Sequence, residues 1–299
     1  MRERFASRTP FPSLLSLALG LLCAGIATAA TTTTPFQFAY MYGTSGPASG
    51  GTPVNLVGNQ FQPGASVTIG GIAVGASVTS STRIGATSPG RTAGALYDVI
   101  ITNPGDAPAV LTKGWFADFT DVPQASPFHA PVETIIRDGI TSGCGGGNYC
   151  PSSLVTRAQM AVFLLRAGHG SSYVPPPATG NVFGDVPAGA PAAAFIEELS
   201  LQGISAGCGG GNYCPSAALT RAAMAVLVLK TRHGSDYTPP PATGTVFADV
   251  PADAFAADWI EQLFAEGITA GCGFGNFCPN ASLSRAQAAA LVVRAFGLS

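Results

Sequence analysis

Residues 143–151 read GCGGGNYCP, residues 207–215 repeat the same nine letters, and residues 271–279 read GCGFGNFCP. The three segments are spaced 64 residues apart, and a Phe-x-Asp-Val sequence precedes each of them in the same register. A strict period of this length is the signature of a repeat architecture. The C-terminal part of the chain is therefore predicted to consist of three copies of one unit.

Each unit is predicted to contain two helices, one on either side of the glycine-rich loop. In the third unit Trp259, Ile260, Leu263 and Phe264 fall on one helical face, and Gly267 would end that helix. The second helix opens with a Thr or Ser N-cap, and in two units a Gln three residues later completes a capping box. The caps and their third following residues are Thr156 with Gln159, Thr220 with Ala223, and Ser284 with Gln287.

Behind each cap the second helix carries an apolar stripe, which is typical of a helix that packs against a core. The stripes comprise Met160, Phe163, Leu164 and Ala167, then Met224, Leu227 and Val228, then Ala288, Leu291 and Val292. Because two helices cannot bury such stripes alone, the three units are predicted to pack around a shared core. Proline-rich segments at residues 173–180 and 237–244 join successive units and are predicted to form stiff, extended straps.

Six of the seven cysteines lie in the glycine-rich loops, two in each loop. Because the repeat is strict, pairing within each loop is the simplest connectivity. The predicted disulfides join Cys144 to Cys150, Cys208 to Cys214, and Cys272 to Cys278. Closing seven residues in this way removes about 2 kcal/mol of unfolded-state freedom. Asn148, Asn212 and Asn276, beside the glycines, are predicted to adopt a left-handed turn conformation.

The same loops argue against a metal site. Zinc sites favour a closer cysteine spacing with further ligands nearby, and His169 and His233 have no counterpart in the third unit. Between the two cysteines of a loop there is no carboxylate that could bind calcium. The chain also lacks a phosphate-binding loop and a dinucleotide fingerprint. We therefore expect no metal and no cofactor.

The N-terminal residues have the features of a secretory signal peptide. Arg2, Arg4 and Arg8 precede an apolar stretch at residues 14–26, and a small-x-small sequence follows at residues 27–29. Export to an oxidising compartment agrees with the predicted disulfides. We expect a mature chain with no transmembrane span, because no later stretch offers 18 uninterrupted apolar residues.

The signal peptide is assigned to residues 1–29 and a linker to residues 30–37. Loss of the three leader arginines and Glu3 would change the formal net charge from −2 to −4. Charged residues make up 10% of the chain, against about a quarter in typical proteins. A weakly acidic chain without basic runs is not expected to bind nucleic acid.

Residues 38–117 alternate short β-type runs with turns of Gly, Pro and Asn, which predicts an all-β sandwich. The clearest runs are residues 53–57, 66–69 and 97–101. Trp115, Phe116 and Phe119 mark the passage from this sandwich into the first repeat.

The repeats resemble the S-layer homology (SLH) family, whose pattern combines Phe-x-Asp-Val, Gly-Ile-Thr, a glycine loop and a Thr-Arg-Ala-Glu helix start. In the first unit the matching segments are residues 119–122, 139–141, 143–151 and 156–159. The cysteine pairs are an addition to the family pattern. Residues 38–117, with turns at residues 45–51, 58–61 and 70–71, look like an IPT/TIG immunoglobulin-like domain.

The predicted fold is therefore multidomain. An N-terminal all-β immunoglobulin-like sandwich at residues 38–117 is followed by a mainly α module of three SLH-like repeats. The repeats are assigned to residues 118–182, 183–246 and 247–299. The resemblance implies that they form a pseudo-threefold prism with polysaccharide-binding grooves between neighbours.

The resemblance further implies that the Arg opening each second helix contacts an acidic sugar substituent. A forked guanidinium beside a helix N-terminus suits a carboxylate. The candidate glycan-binding residues are Arg157, Arg221, Arg285, Asp121, Asp185, Asp249 and Trp259. The alternatives are an ion pair for each Arg and a cap or loop organiser for each Asp. The family's Glu is replaced by Gln159, Ala223 and Gln287. Its Trp is replaced by Pro131 in the first repeat and by Phe195 in the second.

A Gly-x-Ser-x-Gly sequence at residues 203–207 matches a hydrolase nucleophile motif, but Thr141 and Thr269 stand at the equivalent positions and a helix precedes it. We therefore expect no enzyme. The expected function is that of an exported, non-catalytic cell-envelope protein whose repeats anchor it to a cell-wall or surface polysaccharide while the immunoglobulin-like domain is displayed. The alternative is a structural or adhesive surface protein whose repeats assemble with other envelope proteins.

Overall fold

The computed structural model describes residues 36–299. The predicted signal peptide lies outside the described residues, as does most of the predicted linker. In the described part, nine strands are followed by six helices, so a β-rich region precedes a helical one. This order agrees with the predicted multidomain layout.

The β-rich region consists of two sheets. The four-stranded sheet has the order β1 (Gln37–Tyr42), β3 (Pro53–Asn59), β7 (Arg83–Thr87), β6 (Ala76–Ser80). The five-stranded sheet has the order β2 (Ser45–Gly46), β9 (Ala109–Ala117), β8 (Ala95–Thr102), β4 (Ser66–Ile69), β5 (Ile72–Val74). Leu56 and Ile84 of the first sheet and Ile69, Ile101 and Trp115 of the second are fully buried in one core. The three predicted runs lie in β3, β4 and β8.

The helices come in three pairs, one pair for each repeat. They are α1 (His129–Arg137) with α2 (Arg157–His169), α3 (Ala193–Leu201) with α4 (Arg221–His233), and α5 (Ala257–Ala265) with α6 (Arg285–Phe296). Both predicted capping boxes form, at Thr156 and at Ser284, and the Thr220 hydroxyl accepts the backbone N–H of Ala223. Each second helix therefore begins at the arginine after its predicted cap.

The predicted apolar face of α5 is narrower in the structure. Ile260 and Leu263 are buried, whereas Phe264 is 45% exposed and lies at the edge of the helix. Its ring contacts Phe247 edge to face, with centroids 5.4 Å apart. A helix of nine residues presents only its central stripe to the core, so a residue next to that stripe stays at the surface.

Three backbone hydrogen bonds link the repeats in a closed ring. The N–H of Val155 donates to Leu283 O (2.9 Å), that of Leu219 to Val155 O (3.0 Å), and that of Leu283 to Leu219 O (3.0 Å). Each of these residues immediately precedes the N-cap of a second helix, so the starts of α2, α4 and α6 are held together. Buried side chains from all three repeats form one hydrophobic cluster. The predicted shared core is therefore present.

Two glutamates hold the proline-rich straps against the first helices of the repeats that follow. The carboxylate of Glu197 in α3 accepts the N–H groups of Thr179 (2.7 Å) and Gly180 (2.6 Å). The carboxylate of Glu261 in α5 accepts those of Thr243 (2.8 Å) and Gly244 (2.7 Å) in the same way. Each strap therefore ends at a fixed point on the next repeat.

The sandwich joins the first repeat through both apolar and polar contacts. Trp115, near the end of β9, is buried in the sandwich core, and Phe116 beside it belongs to the core of the helical module. The ring of Phe116 meets Phe119 edge to face, with centroids 5.7 Å apart. Two consecutive residues of β9 therefore belong to different cores, and the chain passes from the sandwich into the first repeat at the position that the sequence indicates.

Arg137 at the end of α1 makes polar contacts across this junction. Its Nη1 donates to Lys113 O and its Nη2 to Thr44 O, each at 2.7 Å. Its Nε donates to the carboxylate of Glu133, also at 2.7 Å. One guanidinium thus connects the first helix to two separate segments of the sandwich.

Candidate functional site

The repeated aspartates organise the glycine-rich loops. Each carboxylate accepts two consecutive backbone N–H groups that lie 28 and 29 residues further along the chain. The pairs are Asp121 with Tyr149 and Cys150, Asp185 with Tyr213 and Cys214, and Asp249 with Phe277 and Cys278, at 2.7 to 2.8 Å. The hydrogen bond from Tyr213 N–H is the main cause that lowers the pKa of Asp185, and the positive charge of Arg157 adds to it. In all three repeats the carboxylate is engaged by the loop backbone.

The cysteines pair within each loop, and the two Cα atoms of a pair are 6.0 Å apart in every repeat. The asparagine prediction is wrong: the non-glycine residue at positive φ in all three loops is the second cysteine, at about +60°. Asn148 instead forms a β-bridge with Gly145, and its carbonyl accepts the N–H of Cys144 at 2.8 Å. An extended asparagine and a left-handed cysteine together turn the chain so that the aspartate can bind both N–H groups.

The three arginines that open the second helices lie between repeats. Each guanidinium stacks on the aromatic ring of a neighbouring loop, with its central carbon 4.7 to 4.8 Å from the ring centroid. Each Nε also donates to the carbonyl of that same aromatic residue, at 2.6 to 3.0 Å. The pairs are Arg157 with Tyr213, Arg221 with Phe277, and Arg285 with Tyr149. Half of each guanidinium fork is thus used to join two repeats.

The other half of the fork differs among the three arginines. Nη2 of Arg157 reaches Ser205 Oγ at 3.5 Å, and Nη2 of Arg285 donates to Ser142 O at 3.1 Å. Nη2 of Arg221 is buried and has no hydrogen-bond partner within residues 36–299. Burial lowers the pKa of Arg221, although the nearby charge of Asp249 opposes this. The three positions are therefore related by the repeat but are not chemically equivalent.

Two of the predicted residues, Arg157 and Trp259, meet in one groove of about 370 Å³ that is lined by residues of all three repeats. The groove is also lined by Ser205, Lys230 and Phe255. The ammonium of Lys230 lies 6.0 Å from the centroid of the Trp259 ring and 3.3 Å from the carbonyl of Gly203. A guanidinium, an ammonium and an indole therefore surround one open space.

Lys230 was missed by the sequence analysis, although the repeat contains a signal for it. Arg166, Lys230 and Arg294 stand 64 residues apart, so each second helix carries a cation in its last turn. In the first repeat Arg166 lies over Phe195, the residue at the position of Trp259, with 5.5 Å from the guanidinium carbon to the ring centroid. Repeat-wide comparison of basic residues would have found this second row of charges.

The Gly-x-Ser-x-Gly serine is buried and hydrogen-bonded within its own loop. Ser205 follows helix α3, is 7% exposed, and its hydroxyl accepts the N–H of Gly207 at 3.3 Å. Within residues 36–299 no three His, Cys, Asp or Glu side chains are grouped so that they could hold a metal ion. No helix of that part of the chain has the length and apolar character needed to cross a membrane.

Comparison with known proteins places these features in two families. Residues 41–114 match the IPT/TIG domain, and residues 118–161, 182–225 and 246–289 match the S-layer homology domain. A "Cell surface protein" of Thermoanaerobacter kivui is 33% identical over 116 residues, which are 38% of this chain and 15% of that protein. The chain thus spans well under a fifth of that relative's length.

Among solved structures, an auxiliary nutrient binding protein from Bacteroides thetaiotaomicron is 20% identical over 28% of this chain and 21% of its own, with a TM-score of 0.24. So low a TM-score does not establish a shared fold. The domain matches, in contrast, cover the sandwich and each of the three repeats. The chain therefore carries an IPT/TIG domain ahead of three S-layer homology repeats.

Proposed function

We propose that this is an exported, non-catalytic protein of the cell surface, whose three repeats anchor it to a cell-wall or surface polysaccharide and display the IPT/TIG domain. The surface location is supported by the S-layer homology domains and by the similarity to a protein named for the cell surface. The observation that carries the anchoring role is the groove in which Arg157, Lys230 and Trp259 converge.

The proposal includes a pseudo-threefold arrangement of the repeats, at residues 118–182, 183–246 and 247–299. It is supported by the ring of hydrogen bonds through Val155, Leu219 and Leu283, in which each repeat donates to one neighbour and accepts from the other. The inter-repeat arginine stacking follows the same cyclic order. Such an arrangement would create three related grooves, each bounded by two or three repeats.

The chemistry of the groove suits a sugar that carries a carboxylate. Lys230 and the remaining donors of Arg157 supply two positive charges at one side, and the apolar face of Trp259 supplies a surface for a sugar ring. Because the groove is partly shielded from water, an anion in it would interact more strongly with these cations than at an open surface. Asp121, Asp185 and Asp249 serve this role indirectly by fixing the loops beside the arginines.

Co-sedimentation with isolated cell walls of the source organism tests the proposal. The wild-type protein is expected to sediment with the walls, and Trp259→Ala and Lys230→Ala are each expected to weaken binding at least tenfold. Arg294→Ala is the matched control. Arg294 holds the same position in the third repeat as Lys230 in the second, but the residue of the first repeat that corresponds to Trp259 is Pro131, so Arg294 has no aromatic partner at that position. Failure of the wild type to sediment would refute the anchoring role, and unchanged sedimentation of both groove variants would exclude this groove.

A second candidate is a protein whose repeats assemble with other proteins. Phe274 is fully exposed and Phe255 is 73% exposed, so the third repeat presents apolar rings to solvent. Exposed aromatic rings are enriched at protein–protein interfaces. Sedimentation velocity in the absence of glycan distinguishes the two candidates: concentration-dependent assembly that Phe274→Ala abolishes would favour the second.

A further inference from the structure

The outer face of the four-stranded sheet carries two complete rows of side chains across all four strands. Met41, Leu56 and Ile84 point into the core, so the residues on either side of them face solvent. From β1 to β6 the first row is Tyr42, Asn55, Gly85 and Ser77, and the second is Tyr40, Val57, Arg83 and Ser80. With strands about 4.8 Å apart, each row is about 14 Å long.

Two tyrosines stand at one end of these rows, on the edge strand β1. Tyr40 is 48% exposed and Tyr42 is 55% exposed, and their rings meet edge to face with centroids 5.4 Å apart. Their hydroxyl oxygens are 3.5 Å apart. Exposed tyrosines combine a rigid apolar ring with a polar tip, which suits a ligand that has both apolar and hydroxyl-bearing faces.

Gly85 lies in the middle of the first row, where neither its backbone conformation nor crowding requires a glycine. Its φ is outside the left-handed region, and a Cβ added to it would meet no atom within 4 Å. A glycine inside a strand costs roughly 0.5–1 kcal/mol relative to alanine. Glycine inside a strand often marks a bulge, a tight bend or the close approach of a ligand to the backbone; the irregular pairing of β6 with β7 lies beside Gly85, between Val78 and Ser80, and leaves Gly85 itself paired with Ser77. At Gly85 the backbone of the sheet is therefore not covered by a side chain, and a shallow gap lies between the side chains of Asn55 and Ser77.

Two polar side chains of the face, those of Asn55 and Arg83, are free to bind. Within residues 36–299, neither the amide of Asn55 nor the guanidinium of Arg83 has a hydrogen-bond partner, and both residues are exposed. The four strands contain no Asp and no Glu, so the face has donors and acceptors but no negative charge. Protein interfaces usually have an apolar centre, whereas Val57 is the one apolar side chain among the four central residues of this face, beside Asn55, Gly85 and Arg83.

We propose that this face of the IPT/TIG domain is a second polysaccharide-binding site, in which a sugar chain lies along the rows, stacks on Tyr40 and Tyr42, and crosses the backbone at Gly85. Asn55 and Arg83 would donate hydrogen bonds to its hydroxyl or carboxylate oxygens. The site uses no residue of the repeats and is independent of the groove at Trp259. The protein would then hold one polysaccharide through its repeats and a further chain through its displayed domain.

Affinity electrophoresis of the full chain in native gels containing laminarin, mannan, xylan or polygalacturonate tests this site. We expect at least one of these polymers to retard the wild-type protein. Tyr42→Ala and Gly85→Val are each expected to weaken the apparent affinity at least tenfold. Gly85→Val fills the open space with a residue that favours strands, so its thermal midpoint should be unchanged or higher while binding is lost.

A control variant shows whether the retardation depends on this face of the sheet. Val110→Ala alters an exposed residue of the other sheet and should be retarded like the wild type. Absence of retardation by all four polymers, or wild-type retardation of Gly85→Val, overturns the proposal. The proposal is also overturned if Tyr42→Ala changes self-association in sedimentation velocity but leaves the retardation unchanged, because this result would identify a protein-binding face.

Discussion

Phe274 occupies a backbone conformation that the other two repeats give to glycine. Its φ is +52°, and Gly146 and Gly210 at the matching positions both have φ of +60°. A side chain in this region costs roughly 1–2 kcal/mol because its Cβ approaches the following carbonyl. The ring of Phe274 is fully exposed, so no packing within the described chain offsets that cost.

Phe274→Gly is therefore expected to raise the free energy of unfolding by about 0.5–1 kcal/mol. Removal of the strain outweighs the roughly 0.5–1 kcal/mol of chain entropy that a glycine adds to the unfolded state. Urea denaturation with the disulfides intact measures the difference. Gly210→Phe is the matched reverse change, since a Cβ there meets nothing within 4 Å, and it should lower stability by a similar amount. Destabilisation by Phe274→Gly would instead show that the ring packs against something.

Single residues were predictable where the interaction is local. The caps at Thr156 and Ser284 depend on groups three residues away, and both formed as expected. The left-handed residue of the loop was not predictable, because Asp121 binds two N–H groups 28 and 29 residues further on and thereby fixes Cys150. For the same reason the sequence identified Arg157 as a candidate residue but did not reveal that its Nε donates a hydrogen bond to the carbonyl of Tyr213.

At the scale of elements, the straps show what composition predicts and what it does not. Three consecutive prolines restrict φ and favour an extended segment. The attachment points depend on Glu197 and Glu261, which lie 17 and 18 residues beyond the groups they bind. Nothing in the strap sequence identifies these partners. The corresponding residue of the first repeat, Glu133, has no strap and pairs with Arg137 instead.

These glutamates are expected to make stability depend on acid pH. The N–H of Thr179 is the main cause that lowers the pKa of Glu197; for Glu261, burial raises the pKa, but the backbone N–H groups of Thr243 and Gly244 outweigh it. A carboxyl whose pKa is lowered in the folded state binds fewer protons there than when unfolded. Its stabilisation is complete above the ordinary pKa of about 4.3 and is lost as pH falls through the lowered value.

The double variant Glu197→Gln/Glu261→Gln should therefore lose stability at pH 7 and show a smaller drop on acidification than the wild type. Because hydrogen bonds to charged groups contribute about 1.5–3 kcal/mol, we expect Glu197→Gln alone to cost about 1–2 kcal/mol at pH 7. Urea midpoints between pH 7 and pH 3 provide the measurement. Glu198→Gln is the control, since Glu198 accepts side-chain groups of Tyr173 and Gln202. An unchanged pH dependence in the double variant would contradict the assignment.

For the whole molecule, the period of 64 residues predicted a shared core, and the order of turns and helices predicted the two regions. The cores are separate, one in the sandwich and one in the repeats. What the sequence did not indicate is the polar connection between them. Arg137 is the last residue of α1. Of its two partners, Thr44 lies between β1 and β2 and Lys113 lies in β9. Only the folded chain brings these carbonyls to one point.

Arg137→Ala is expected to loosen the sandwich from the repeats while both regions stay folded. The change removes two charge-assisted hydrogen bonds to backbone carbonyls and leaves Glu133 with one partner fewer. Small-angle X-ray scattering should show a larger radius of gyration, and limited proteolysis should cleave faster near residues 117–118. Arg137→Lys should lie between the two, because an ammonium cannot reproduce the fork that reaches both carbonyls. A radius of gyration and a cleavage rate equal to those of the wild type would show that the remaining contacts, among them that of Phe116 with Phe119, suffice to hold the domains.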